Sequence, residues 1–377
     1  MVNIFGIFTL CQIFNKSILK NFLIITSEFP PLPGGIGNHA FFLADYLCKM
    51  GYEISVVSDF RSPKSDKEFD KKQSFSIFRI KRNKFTTWNR VVKSFLLARN
   101  TTTIICSGKF SLWIGGFLSL ILKKNYIAVL HGSEINAGGK ISKWLTHWSL
   151  KRFEKIIAVS NFTKEIALKI NSKLKIEVIN NGFNLFDERL NAVKKTIGNP
   201  KIVTVGNVTY RKGQQNVIAV LPFLKEIFPE IHYHCIGIPT EKEAFSALAK
   251  SLDVQDNITF HGALSAVDLV AILKESAVFF MLSDVLNNGD FEGFGIALLE
   301  ANALGLPAIG SNNSGIVDAI KSGFSGEVVN PKSQEEIVIA FQKIMTHYDE
   351  YSKNALIWSS NFTWDKIGKK YCDFLSK

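Results

Sequence analysis

Residues 22–50 read FLIITSEFPPLPGGIGNHAFFLADYLCKM. The first five form a strand-length apolar run with no polar alternation. A loop of prolines and glycines follows, and from about residue 38 to 50 the pattern turns helical. A strand with no polar face is covered on both sides, the habit of parallel sheets flanked by helices. The unit recurs: 53–58, 103–107 (TIICS), 127–130 (IAVL) and 155–159 (KIIAV) read as further strands. Strands alternating with helices imply βαβ units. A polar, charged stretch at 187–200 carries no strand pattern and reads as a linker. A second series then begins, with strands at 201–205, 232–236, 258–260, 278–281, 307–309 and 326–329. An amphipathic helix at 364–375 follows the cap-like Asn361-Phe-Thr.

The expectation is α/β, with two Rossmann-like doubly wound domains facing across a cleft. The N-terminal domain covers 1–192, with 1–20 as an extension, and the C-terminal domain covers 193–360. Residues 361–377 form a helix packing back on the N-terminal domain. A chain of 377 residues is long for one domain and comfortable for two. With 46% hydrophobic and 21% charged residues it is globular, not disordered. In open α/β sheets, ligands bind outside the carboxyl ends of the strands.

The net charge of +12 is uneven. Residues 1–190 hold 28 Lys and Arg against 13 Asp and Glu, whereas 191–377 hold 17 against 20. The basic half suits an anionic partner (lipid headgroups, nucleic acid or an anionic acceptor), with plain solubility charge as the bland alternative. Cys11, Cys48, Cys106, Cys235 and Cys372 are odd in number, widely spaced and without CxxC. That argues against a disulfide framework or zinc site and fits a reducing cytoplasm. The apolar stretches 2–14 and 110–122 fall short of the roughly 18–20 residues a membrane span needs. The first lacks a basic n-region and a cleavage site, so it is a poor signal peptide. The second reads as a buried helix.

Four segments could carry chemistry. In DFEGFGIALLEA, residues 290–301, Glu292 sits in a glycine-bracketed loop and Glu300 on the helix that follows. Loop glycines admit a ligand to the backbone, and amides at a helix start can hold a diphosphate. The two glutamates could then grip hydroxyls at either end of a nucleoside diphosphate sugar. Taken alone, they read equally as solvent-facing residues. In VGNVTYRKGQ, residues 205–214, Arg211 and Lys212 could neutralise a diphosphate leaving group, or be only a basic loop. FPPLPGGIG, residues 29–37, is a glycine turn at a helix start without the Gly-Lys-Ser/Thr of a Walker A loop. His131, at the end of the strand 127–130, could hydrogen-bond substrate or act as a base, or be a satisfied structural histidine. There is no DxD, HExxH or Cys/His set, and so no metal is expected.

Together these segments resemble the retaining glycosyltransferase family 4, of the two-domain GT-B fold. The order holds from about residue 22 to 376, through SEFPPLPGGIGNH, LHGSEI, AVSNF, VINNGFN, VGNVTYRKGQ, FHGALS, EGFGIALLEANALGLPAIGSNNSGI and FTWDKIGKKY. The resemblance implies that Glu292 faces the donor hexose and Glu300 grips the ribose. It also implies that Phe294, Gly295 and Ile296 present amides to sugar or diphosphate. Lys212 would meet the phosphates and His131 the reacting sugar. Gly35 would close near the phosphates, and His261 and Gly262 would lie at the nucleobase. Many members carry arginine where this chain has Asn207, a charge that Arg211 could supply.

The implied activity is transfer of a hexose from a nucleoside diphosphate sugar, with retention and without metal or other cofactor. The departing phosphate would take the acceptor's proton. Residues 61–99 carry 12 Lys and Arg against three acids, interleaved with Phe75, Phe78, Phe85, Trp88 and Phe95. That mixture suits an anionic membrane surface. It favours a lipid-linked or oligosaccharide acceptor of lipopolysaccharide, capsule or exopolysaccharide, met at the inner face of the cytoplasmic membrane. The rival enzyme reading is a nucleotide-sugar 2-epimerase on the same fold. The non-enzymatic rival is a basic nucleic-acid-binding protein, against which the two-Rossmann pattern speaks.

Overall fold

The computed structural model describes residues 21–32, 34–136, 138–184 and 199–376. The extension 1–20, most of the linker 187–200 and the domain boundary at 192/193 lie outside the described residues. The chain falls into two compact units: the part up to Ala128 with Arg152–Glu154, and Val129–Lys151 with Lys155–Lys377.

The N-terminal series runs β1 (Asn21–Thr26), α1 (Gly35–Lys49), β2 (Glu53–Asp59), α2 (Pro63–Asp70), β3 (Ser76–Ile80), α3 (Thr86–Ala98), β4 (Thr103–Ser107), α4 (Lys109–Leu118) and β5 (Asn125–Leu130). It continues through α5 (Ser133–Asn136), α6 (Lys140–Leu150), β6 (Lys155–Ala158), α7 (Asn161–Ile170) and β7 (Ile176–Val178). The seven strands form one sheet in the order β3-β2-β1-β4-β5-β6-β7. Leu23, Ile24 and Ile25 of β1 are fully buried, as a strand covered on both faces requires.

Three readings need correction. Helix α1 opens at Gly35 and not near residue 38, because the Asn38 amide bonds the Gly34 carbonyl at 2.9 Å and closes the first turn there. The stretch 110–122 is not a buried helix throughout. Its helix ends at Leu118 and buries Leu112, Ile114 and Leu118, while Phe110, Phe117, Leu120 and Ile121 are exposed. Strands β3 and β7 were not anticipated; both are short and lie at the sheet's edges, where a half-exposed strand loses its apolar continuity.

The C-terminal series is β8 (Lys201–Val205), a 3₁₀ turn (Tyr210–Lys212), α8 (Gln214–Ile227), β9 (His232–Ile236), α9 (Lys242–Ser251), β10 (Ile258–Gly262), α10 (Ala266–Glu275), β11 (Val278–Met281), α11 (Ile296–Asn302), β12 (Ala308–Ser311) and β13 (Gly326–Val329). Helices α12 (Gln334–Thr346), α13 (Tyr348–Ser359) and α14 (Trp364–Ser376) close the chain. The sheet order is β10-β9-β8-β11-β12-β13, parallel throughout. Its core gathers Ile202, Val217, Leu221, Tyr233, Phe280 and Phe341, all fully buried. Helix α14 packs on the segment after β7. The Trp364 ring lies 2.9 Å from where a Cβ on Gly182 would sit, and Phe183 donates its amide to Phe362 O at 3.0 Å. The Lys155 ammonium bonds Phe374 O at 3.3 Å.

In each sheet the first strand of its series, β1 or β8, is flanked by the second and fourth. The chain therefore winds one way from that point and then the other. The crevice at such a reversal is where open α/β sheets place ligands. In the second sheet the reversal lies between β8 and β11. The loops leaving these two strands carry Arg211 and Lys212 in one case and Glu292 in the other.

Candidate active site

The pairing of β8 with β11, Ile202 against Val278 and Val203 against Phe279, brings those loops together. After β8 the chain turns through the 3₁₀ segment and reaches Gly213, whose φ of +80° is a left-handed conformation that suits glycine. A Cβ there would lie 1.8 Å from the Leu282 carbonyl at the end of β11, so only glycine lets the cation turn seat so closely. Across from it, Lys212 Nζ lies 2.8 Å from the Glu292 carboxylate, and Arg211 bonds the same carboxylate oxygen. Arg211 Nε also lies 3.5 Å from Asp290. Two cations thus converge on one carboxylate.

Burial opposes the charge on Glu292, but Lys212 and Arg211 more than offset it and lower the pKa to about 2. Glu300, eight residues further on in α11, goes the other way. Burial raises its pKa to about 7, and Lys212 only partly counters that. One ammonium therefore faces an ionised glutamate and a second held close to half-protonated at neutral pH.

Gly293 is the close contact between this loop and the end of β5. A Cβ at Gly293 would lie 1.8 Å from the His131 carbonyl, and one at Gly315 would lie 1.9 Å from the Gly293 carbonyl. The His131 amide donates to the Glu134 carboxylate. Burial lowers the His131 pKa to about 4, so the imidazole is neutral at pH 7 and offers a hydrogen bond, not a charge. Phe291 packs edge-on to Phe162, with ring centroids 5.1 Å apart. Phe294 is buried, Gly295 caps α11 at φ +93°, and Ile296 begins it.

The structure thus brings together Arg211, Lys212, Glu292, Glu300, Gly293 to Ile296 and the backbone of His131. His261 and Gly262 lie two strands away from β8: the Gly262 carbonyl accepts from the Gly237 amide at 2.9 Å, Gly237 packs on the Gly206 carbonyl, and Gly206 packs on the Lys212 side chain. Both are on the edge strand β10, where His261 Nε2 pairs with His234 Nδ1 at 2.9 Å and Gly262 faces open space. Gly35 belongs to the other unit, at the open first turn of α1. At Asn207 the backbone carbonyl accepts from Gln214 Nε2 at 3.1 Å, while Arg211 provides the second cation on Glu292.

The sequence reading missed Asp284. Its amide donates to Arg211 O at 3.1 Å, and its carboxylate accepts from Gln215 and Asn216 at 3.1 Å each and from Lys332 at 2.6 Å. It ties the cation turn and the start of α8 to the head of the glutamate loop. An acid just beyond a switch-point strand was the available signal. Among the described residues, no group of three or more His, Cys, Asp or Glu could hold a metal ion.

Two parallel Rossmann-like domains, the second with polar loops meeting at its winding reversal, define the GT-B architecture. The family follows from the sequence match: residues 187–356 fit the family model described as glycosyl transferases group 1, and residues 33–185 fit Glycosyltransferase Family 4. Between them the two models span most of the chain, which is a glycosyltransferase of this group. It is 25% identical to an uncharacterized glycosyltransferase of Methanocaldococcus jannaschii, over 92% of this chain and 95% of that one. It is 23% identical to a GDP-mannose-dependent alpha-(1-6)-phosphatidylinositol monomannoside mannosyltransferase of Mycolicibacterium smegmatis, over 94% and 98%. Its fold is shared with Anabaena HepE, solved in complex with UDP and glucose, at a TM-score of 0.76 and 16% identity, covering 95% and 99%.

Proposed function

We propose that the protein transfers a hexose from a nucleoside diphosphate sugar to a lipid-linked or oligosaccharide acceptor of a growing cell-surface glycan, with retention and without a metal. The observation that carries this is the convergence of Arg211 and Lys212 on Glu292. Fixed cations stabilise a diphosphate as the bond to the anomeric carbon breaks. Glu292 accepts hydrogen bonds from the hexose hydroxyls, Glu300 from the ribose, and neutral His131 stands by the reacting sugar. The acceptor oxygen bonds the anomeric carbon on the face the diphosphate leaves, and its proton passes to the departing phosphate.

The mannosyltransferase relative supports the substrate classes: its name gives a GDP-sugar donor and a phosphatidylinositol mannoside acceptor. HepE was solved with UDP and glucose. The epimerase alternative finds no support, since neither curated relative is described as one. Among the described residues no helix is long and apolar enough to cross a membrane. We place the enzyme peripherally, at the inner face of the cytoplasmic membrane.

The test is transfer by Lys212→Ala and Glu292→Ala, with a thermal-shift scan of UDP-, GDP- and ADP-sugars, because a ligand stabilises the state it binds. Each substitution is expected to abolish transfer while the protein stays folded. Near-normal turnover in both variants overturns the site.

A further inference from the structure

Helix α3 is built inside out. Its buried residues are Arg90, Ser94 and Ala98. Its outward line is Phe85 at the N-cap, then Trp88, Val92 and Leu96, with 57, 67, 37 and 52% of their surfaces exposed. Steps of three, four and four residues keep these side chains on one stripe. The helix cannot roll over to hide them. The buried Arg90 guanidinium holds both oxygens of buried Asp59 at 2.6 Å, and breaking one side of such a pair strands a charge. The Lys93 ammonium is also fixed, 4.0 Å from the centre of the Phe78 ring. On the neighbouring α4, half-exposed Phe110 lies under the Arg90 guanidinium and widens the apolar surface. A continuous apolar stripe of this kind marks an interaction site.

The charge around the stripe says what covers it. From residue 71 to residue 133 the chain has 12 Lys and Arg and not one Asp or Glu. Lys81, Arg82 and Lys84 are exposed before the helix and Arg99 after it. Asp59, 3.5 Å from Arg82, is buried and already held by Arg90, so a second copy would set this surplus of cations against itself, which like charge opposes. A bilayer with anionic headgroups meets both features at once: phosphates for the cations and an acyl boundary for the stripe.

We propose that α3, with Phe110, docks flat on an anionic bilayer. Trp88 and Leu96 enter the headgroup–acyl boundary, and Lys81, Arg82, Lys84 and Arg99 meet lipid phosphates. This deepens the proposed function, since it rests on the acceptor being lipid-linked, and it names the surface by which the enzyme reaches it.

The experiment is co-sedimentation of the full chain with phosphatidylglycerol/phosphatidylcholine vesicles and with phosphatidylcholine alone. The variants are Trp88→Ser/Leu96→Ser and Lys81→Ser/Lys84→Ser. The native chain should pellet with the anionic vesicles, less so in high salt, and hardly with neutral ones. Each variant should lose about tenfold in partitioning, while the melting shift on adding nucleotide is unchanged. Equal pelleting of Trp88→Ser/Leu96→Ser overturns the proposal. So does equal binding of the native chain to neutral vesicles, or a dimer in light scattering that this variant dissociates. If no nucleotide shifts the melting of the native chain, the donor reading fails, whatever the vesicles show.

Discussion

Replacing Glu292 by glutamine separates what the carboxylate does for the fold from what it does for a ligand. Its pKa falls from 4.5 to about 2, and each unit is worth about 1.4 kcal/mol, so ionised Glu292 stabilises the folded state by about 3 kcal/mol at neutral pH. The folded-state value lies below the ordinary one. The stabilisation is therefore complete above about pH 4.5 and is lost as pH falls towards 2. Glutamine keeps the shape but leaves Arg211 and Lys212 facing each other without an anion between them. Glu292→Gln should therefore melt about 6–12 °C below the native protein at pH 7, at about 2–4 °C per kcal/mol for a unit of this size. The gap should narrow steadily from pH 4.5 downwards. Scanning calorimetry of both proteins at pH 7, 5 and 3 measures it. A nucleoside diphosphate should bind Glu292→Gln as tightly as the native protein or more tightly, because the competing carboxylate is gone, while transfer is lost. A melting difference that does not change with pH, or loss of nucleotide binding together with transfer, would refute the reasoning.

Glu300 titrates in the opposite sense. Its raised pKa means that the folded state favours the protonated form, so stability is full below about pH 4.5 and declines as pH rises towards 7. Glu300→Gln should accordingly melt higher than the native protein at pH 8 and no differently at pH 4, by thermal shift in the two buffers. Asp284→Ala should reduce kcat by about ten- to a hundredfold through a misplaced cation turn, with the acceptor KM unchanged. Asp284→Asn should recover part of that loss, and steady-state kinetics with circular-dichroism melts separate it from unfolding.

The architecture was legible where burial leaves a mark on every residue of a strand. Residues 22–25 and 278–281 are apolar throughout because helices cover both faces, and both lie in strands. β3 was not, because at the edge its inward Arg79 is satisfied by Asp70 and the Pro30 carbonyl, which breaks the apolar run. For the site, the residue types were legible but their meeting was not. Arg211 and Glu292 are 81 positions apart and meet because β11 pairs with β8, a pairing that strand patterns do not announce. The neutrality of His131 was equally out of reach, since it follows from burial. The His234–His261 pair joins residues 27 positions apart on the neighbouring strands β9 and β10, whose pairing the sequence likewise does not announce.

The opposite titration of the two glutamates bears on how an anion enters. Around Lys212 the charges are Arg211 and Lys212 against Asp290 and Glu292, which balance so long as Glu300 is protonated. Ionising Glu300 as well would leave the pocket negative before any ligand arrived, and a diphosphate would meet repulsion. Burial prevents this by keeping Glu300 close to half-protonated at neutral pH. Once a diphosphate has entered, its own charge raises the Glu300 pKa further and fixes the protonated form, which can both donate to and accept from a hydroxyl. The loop before α11 thus sets an ionised Glu292 beside the cations, and α11 itself carries a Glu300 that the bound diphosphate holds protonated. On the proposed function this is the order in which hexose, diphosphate and ribose need them, and it makes donor affinity fall as pH rises above about 7.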